Sequence, residues 1–136
     1  MKFEVTILGC GSAVPTLRRA PSSQLVSVQN KSLLIDCGEG TQIRLREMKL
    51  KMQRIRAIFI SHLHGDHYLG IVGLISTLNL LGRSQQLLIV APKELEKVIQ
   101  DQLAISDTRL RFDLRFEPLT EHDKHVVFEE GRVRVE

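Results

Sequence analysis

Tryptophan is absent from this chain, and tyrosine occurs once, at Tyr68. With aromatic bulk so scarce, Leu, Ile and Val must fill the interior. Cysteine occurs only at Cys10 and Cys37, too few for a disulfide framework or a four-thiolate metal module, so two reduced thiols near glycine-rich turns are expected. No apolar run approaches the roughly 20 residues that a membrane helix needs. The first residues, with Lys2 and Glu4 flanking a short alternating segment, do not read as a secretory leader. A cytoplasmic protein that does not enter a membrane is the expectation. Excess charge is also small: a net charge of +3 is common among enzymes and by itself says little about a nucleic-acid partner.

What is present is enough for one domain with a real core, since 136 residues bury roughly two thirds of their unfolded surface. The charge has a local bias. Arg44, Arg46, Lys49, Lys51, Arg54 and Arg56 fall in one stretch, interrupted by Glu47. Such a run reads first as a solvated helix face and loop, and second as an RNA-facing patch.

Residues 3–8 alternate as a strand and end at the glycine-rich turn Gly9-Cys10-Gly11-Ser12. Residues 24–29 and 32–35 read as a hairpin turning at Asn30-Lys31. A helix over 41–48 follows, with Thr41 as its cap and Ile43, Leu45 and Met48 as its apolar stripe. Residues 56–60 form a short apolar strand. Residues 68–81 are apolar nearly all round and predict a buried helix stopped by Gly82. Strands at 87–90 and 110–116, the latter with one wet face, flank a helix at 93–103. Strands alternating with helices indicate a layered α/β domain. The last residues, Arg132 to Glu136, read as a strand that stops without a closing turn, so the chain is expected to be cut from a longer protein.

His62, His64, Asp66 and His67 lie within six consecutive positions, after one predicted strand and before a predicted helix. In an extended segment, residues two apart point the same way, so His62 and His64 can grip one metal ion. The turn at Gly65 then aims Asp66 and His67 elsewhere, towards a second. Imidazole nitrogen with carboxylate oxygen is the donor mix that zinc favours. A purely structural loop is the weaker reading, because clustered imidazoles need partners.

This His-x-His-x-Asp-His pattern after a strand is similar to the metal signature of the metallo-β-lactamase fold. Asp36-Cys37-Gly38-Glu39-Gly40-Thr41-Gln42 and the turn Leu8 to Pro15 further resemble ribonuclease Z. The resemblance implies an α/β, αββα sandwich, of which residues 1–136 would be roughly the N-terminal half of a single domain. It implies a zinc-dependent endoribonuclease that removes the 3′ trailer from precursor tRNA. His62 and His64 would hold one of two zinc ions, and Asp66 and His67 the other, with Asp66 also the catalytic proton acceptor. A bridging Asp and further histidines would lie beyond Glu136, so the chain alone is expected to be inactive, and His122 and His125 are expected to be loop residues.

The family's Pro-x-Lys-x-Arg substrate loop corresponds to Pro15-Thr16-Leu17-Arg18-Arg19, which makes Pro15, Arg18 and Arg19 candidate tRNA contacts, although Leu17 stands where the pattern has a base. Asp36 has two readings, a local cap or an anchor that hydrogen-bonds the histidine loop, and the anchor is favoured. The rival functions are another metal-dependent hydrolase of the same fold acting on a small phosphodiester or ester, and a non-catalytic binding module. An uncovered sheet face and a bare terminal strand further predict a homodimer.

Overall fold

The computed structural model describes residues 1–120 and 125–136. Its centre is a six-stranded sheet whose spatial order follows the chain: β1 (Phe3–Gly9), β2 (Ser23–Val28), β3 (Lys31–Ile35), β4 (Ile55–Phe59), β5 (Leu87–Ala91) and β6 (Leu114–Pro118). The first three strands pair antiparallel, and β3 to β6 pair parallel. Antiparallel neighbours need only tight turns, whereas each parallel step needs a crossover. Here α1 (Thr41–Glu47) lies between β3 and β4, α2 (Gly65–Tyr68) and α3 (Ile71–Leu80) between β4 and β5, and α4 (Glu94–Ile105) between β5 and β6. A small hairpin, β7 (Phe128–Glu130) with β8 (Val133–Val135), forms a second sheet. No helix among the described residues is long and apolar enough to cross a membrane.

The core lies between the sheet and its helices. Leu25, Leu34, Ile58 and Ile89 pack there against Leu45 of α1, Leu74, Ile75 and Leu78 of α3, and Leu95 and Ile99 of α4. Full burial of each such side chain contributes about 1.5–3 kcal/mol. Aliphatic residues dominate this cluster, with Phe112 the only aromatic among its buried members in the described residues.

Several sequence expectations shift once packing is considered. The single helix over 68–81 is in fact two: α2 carries Asp66 and His67, and the chain is nipped at Gly70, where its N–H donates to the Cys37 carbonyl at 2.9 Å. Thr41 is not the cap of α1. Gly40, in the left-handed region at φ 80°, takes that place, and the Thr41 hydroxyl donates to the Gly38 carbonyl at 2.7 Å. Of the proposed stripe Ile43, Leu45 and Met48, only Leu45 is buried. The β2–β3 turn centres on Gln29-Asn30, one residue early, with Gln29 at φ 58°. Residues 110–113 are not strand, and Phe112 turns into the core instead. The terminal strand is not bare on both sides, because β7, which periodicity did not reveal, pairs with it. The basic stretch is also divided. Lys49, Lys51 and Arg54 are exposed, but Arg56 is tucked inward, 3.6 Å from Glu130. His122 lies outside the described residues, and His125 is exposed, with its Nε2 4.0 Å from Glu117.

Candidate metal centre

Strand β4 is apolar apart from Arg56 and ends the sheet interior at Ile60, whose N–H still donates to Val90. Ser61 to His64 then continue extended beyond the sheet, and Gly65 starts α2. This path gathers the four sequence-predicted residues. The His62 ring lies 4.7 Å from that of His64 and 4.0 Å from that of His67, centroid to centroid. Asp66 Oδ2 stands 3.3 Å from His67 Nε2. The His67 ring is thus nearer to that of His62 than the His64 ring is. Among the described residues, no three His, Cys, Asp or Glu side chains are arranged to hold one metal ion.

Asp36 is the hub beneath the cluster. It follows β3, is buried, and sits in the left-handed region at φ 57°, which Asp tolerates better than most residues. That turn swings its carboxylate under the histidine loop. Oδ1 accepts the Ser61 backbone N–H at 2.9 Å and the Ser61 hydroxyl at 2.9 Å. Oδ2 accepts His67 Nδ1 at 2.7 Å and the Ser22 hydroxyl at 3.2 Å. An ionised carboxylate only accepts, so His67 carries a proton on Nδ1 and donates it to Asp36. Asp36 therefore reaches the histidine loop.

Asp66 is positioned from another direction. The Ala13 N–H donates to its Oδ2 at 3.0 Å, from a residue at φ 53°. That donor holds the Asp66 carboxyl below its usual pKa; partial burial opposes the shift and His67 adds to it. The loop bearing Ala13 continues through Pro15, Arg18 and Arg19, all exposed, and is folded back by Thr16 N–H donating to the Arg19 carbonyl at 3.1 Å. With Glu39, Ile43, Arg44 and Glu47 of the α1 region it lines an open cavity of about 330 Å³. The candidate substrate residues thus lie on the same loop that braces Asp66.

Backbones approach closely under the site. A Cβ on Gly38 would fall 2.5 Å from the Asp66 carbonyl, and one on Gly70 would fall 2.2 Å from that of Gly38. Cys37, wholly buried here, has its thiol pushed up to about 12, chiefly by burial, so it stays protonated. Sequence reasoning missed Ser22, Ser61, Ala13 and these glycine contacts. Ser61 was findable in principle, as the one polar residue between the apolar strand and His62. Ser22 and Ala13 were not, because nothing local ties them to residues 14 and 53 positions away.

A family described as Anti-Pycsar protein Apyc1 matches residues 3–126. The ribonuclease Z of Parabacteroides distasonis is 46% identical over 133 residues, which are 98% of this chain and 44% of that protein. Among solved structures, human tRNase Z, short form, is 39% identical with a TM-score of 0.79, covering 84% of this chain and 44% of that one. The metallo-β-lactamase fold protein YhfI from Bacillus subtilis is 22% identical with a TM-score of 0.69, covering 92% and 49%. The metallo-β-lactamase fold expected from the histidine motif is therefore present, and the likeness to ribonuclease Z runs over nearly the whole chain. The chain spans less than half the length of the relatives it matches.

Proposed function

This chain belongs to the family described as Anti-Pycsar protein Apyc1, and from that premise, together with its ribonuclease Z relatives, we propose that it is part of a zinc-dependent endoribonuclease that removes the 3′ trailer from precursor tRNA in the cytoplasm. The observation that carries the reading is the cluster of His62, His64, Asp66 and His67 at the end of β4, braced by Asp36, in a chain 46% identical to a ribonuclease Z.

The donor set fits zinc. His67 has its Nδ1 engaged by Asp36, which leaves Nε2 as the coordinating atom, and Asp66 offers a carboxylate oxygen 3.3 Å away. In this reading His62 and His64 hold one ion, and Asp66 and His67 the other. The two pairs require further donors from the part of the relatives that this chain does not span, and residues 1–136 are the N-terminal portion of one such domain. What two zinc ions supply when bound is polarisation of a phosphodiester and a more acidic water.

The chain's own residues do the rest. Asp66, kept ionised by the Ala13 N–H, accepts a proton from the attacking water. Arg18 and Arg19 hold backbone phosphates of the tRNA, and Pro15 stiffens the loop that presents them. Arg44 of α1 lines the same cavity as Arg18 and Arg19, where it pairs with Glu47. A homodimer is part of the same proposal, supported by exposed Phe3, Val5 and Ile7 on one face of β1.

Leu17, fully exposed where the substrate loop pattern has a base, favours one second reading: a hydrolase of a small phosphodiester on the same fold. The full-length protein assayed on precursor tRNA decides between them. A single cut at the trailer junction, abolished by a zinc chelator and restored by zinc, is expected. Hydrolysis of bis-p-nitrophenyl phosphate with intact precursor tRNA would replace the first reading with the second.

A further inference from the structure

The Ser61 hydroxyl carries one proton and makes more than one contact, and that inequality has a chemical consequence. Its oxygen lies 2.9 Å from Asp36 Oδ1, 3.2 Å from Asp36 Oδ2 and 3.0 Å from His62 Nδ1. An ionised carboxylate cannot donate, so the single hydroxyl proton goes to Asp36. The oxygen then has only lone pairs to offer His62, and Nδ1 must be the donor. We propose that Ser61 is a positioning residue that relays the Asp36 carboxylate to His62, fixing this imidazole as the Nδ1–H tautomer with its Nε2 lone pair free.

Asp36 would thus set two histidines at once, His67 directly at 2.7 Å and His62 through one hydroxyl. The arrangement has a physical rationale. With Oδ2 taken by His67, a hydroxyl that donates to the carboxylate and accepts from a second imidazole extends its reach by one bond and preserves the polarity. Free imidazole exchanges readily between tautomers, and a ring fixed in one of them presents its ligating nitrogen without reorganisation. The inference rests on the metal reading only for its purpose, because the tautomer itself is a property of the metal-free chain.

Ser61 also has a backbone role that can be kept while the hydroxyl is removed. Its N–H donates to Asp36 Oδ1 at 2.9 Å, and Ser61→Ala retains this bond. The test is long-range 1H–15N NMR of the histidine side chains in the metal-free chain, with the imidazoles neutral. In the unmodified chain both His62 and His67 should show a protonated Nδ1 and a bare Nε2. Ser61→Ala should move His62 towards the Nε2–H form while His67 keeps its signature, which also reports that the site is still folded. Ser61→Thr should restore the His62 pattern.

A second readout is zinc titration of the same chain, where Ser61→Ala should weaken binding by roughly 10- to 100-fold and Ser61→Thr by much less. A His62 ring carrying its proton on Nε2 in the unmodified chain, or keeping Nδ1–H in Ser61→Ala, overturns the relay. The tautomer result decides the relay whatever the titration gives. Failure of the full-length protein to bind zinc while the tautomers behave as stated would sink the metal reading alone.

Discussion

Asp66 and Arg19 lie on connected parts of the site yet should fail differently when removed. On the proposed function, Asp66→Ala in the full-length protein would remove the proton acceptor and a ligand together, so precursor tRNA cleavage should fall by at least about 100-fold while tRNA binding changes little. Arg19→Ala should weaken binding and lower the slope of log affinity against log salt by about one charge. Single-turnover cleavage and filter binding at several salt concentrations separate the two, and equal cleavage rates for Asp66→Ala and wild type would end the mechanism. Asp66 also makes a pH prediction. Its folded pKa is lowered by the Ala13 N–H, so its contribution to stability is complete above the ordinary value of about 3.9 and is lost as pH falls through the lowered one. The stability gap between metal-free wild type and Asp66→Asn should be flat from neutral pH to about 4 and narrow below. The two cysteines should differ in the same spirit. Cys10 is exposed, whereas Cys37 is buried with its pKa near 12, so one thiol should react with Ellman's reagent in the native chain and two in denaturant.

At the scale of elements, the site depends on how closely three loops can approach. Cys37 N–H donates to the His67 carbonyl at 2.8 Å and Gly38 N–H to the Ser22 carbonyl at 3.0 Å, stitching the end of β3 to α2 and to the start of β2. Gly70→Ala would drive a methyl group into the Gly38 carbonyl, and the chain must move apart to accept it. A loss of about 1–3 kcal/mol in denaturant unfolding is expected, the range for overpacked positions. Gly40→Ala is the contrasting case, because its Cβ would meet nothing within 4 Å and the only penalty is the left-handed backbone at φ 80°. Its cost should be nearer 1–2 kcal/mol, with zinc binding unchanged, whereas Gly70→Ala should weaken zinc binding as well. Equal effects of the two on zinc binding would show that the close approach does not position the ligands.

The whole molecule has two unlike faces. One face of the sheet is sealed by α1, α3 and α4. The other runs across Val5, Val26, Leu33, Ala57 and Leu88, which the register aligns in one row. Leu34 lies on the helix side, since it pairs beside Ile58 and is fully buried in the core. Phe59 and Leu88 do belong to the open side. The β7–β8 hairpin meets the sheet at Lys31 of β3, whose Nζ lies 2.9 Å from the Glu130 carboxylate, and near Leu88, where Phe128, Glu130 and Arg56 line a cavity of about 350 Å³. Phe3, Val5 and Ile7 remain more than half exposed at the β1 edge. Apolar strips of this kind favour association. Light scattering of residues 1–136 at micromolar concentration should give a dimer or larger species, and Val5→Lys should shift it towards monomer. A monomer unaffected by Val5→Lys would remove the dimer from the proposal.

The amino-acid order alone determined the elements and the donor set. Alternation in residues 3–8, the apolar run of β4 and the near-continuous apolarity before Gly82 are local patterns, and local patterns survive into the fold because burial rewards them directly. His62, His64, Asp66 and His67 were legible because six adjacent positions carry the whole cluster. Tertiary structure alone decided which of these groups touch. Thr41 lost its capping role to its neighbour Gly40 and bonds Gly38 instead, whereas α2 split from α3 at Gly70 and Arg56 left the basic surface because the distant partners Cys37 and Glu130 compete for their backbone or side chain. The network of Asp36 joins Ser22, Ser61 and His67, residues up to 31 positions away, through contacts that exist only once β3, β4 and α2 lie side by side. A hydrogen bond needs its two atoms within about 3 Å, and no spacing along the chain encodes that meeting; only the packed sheet brings it about.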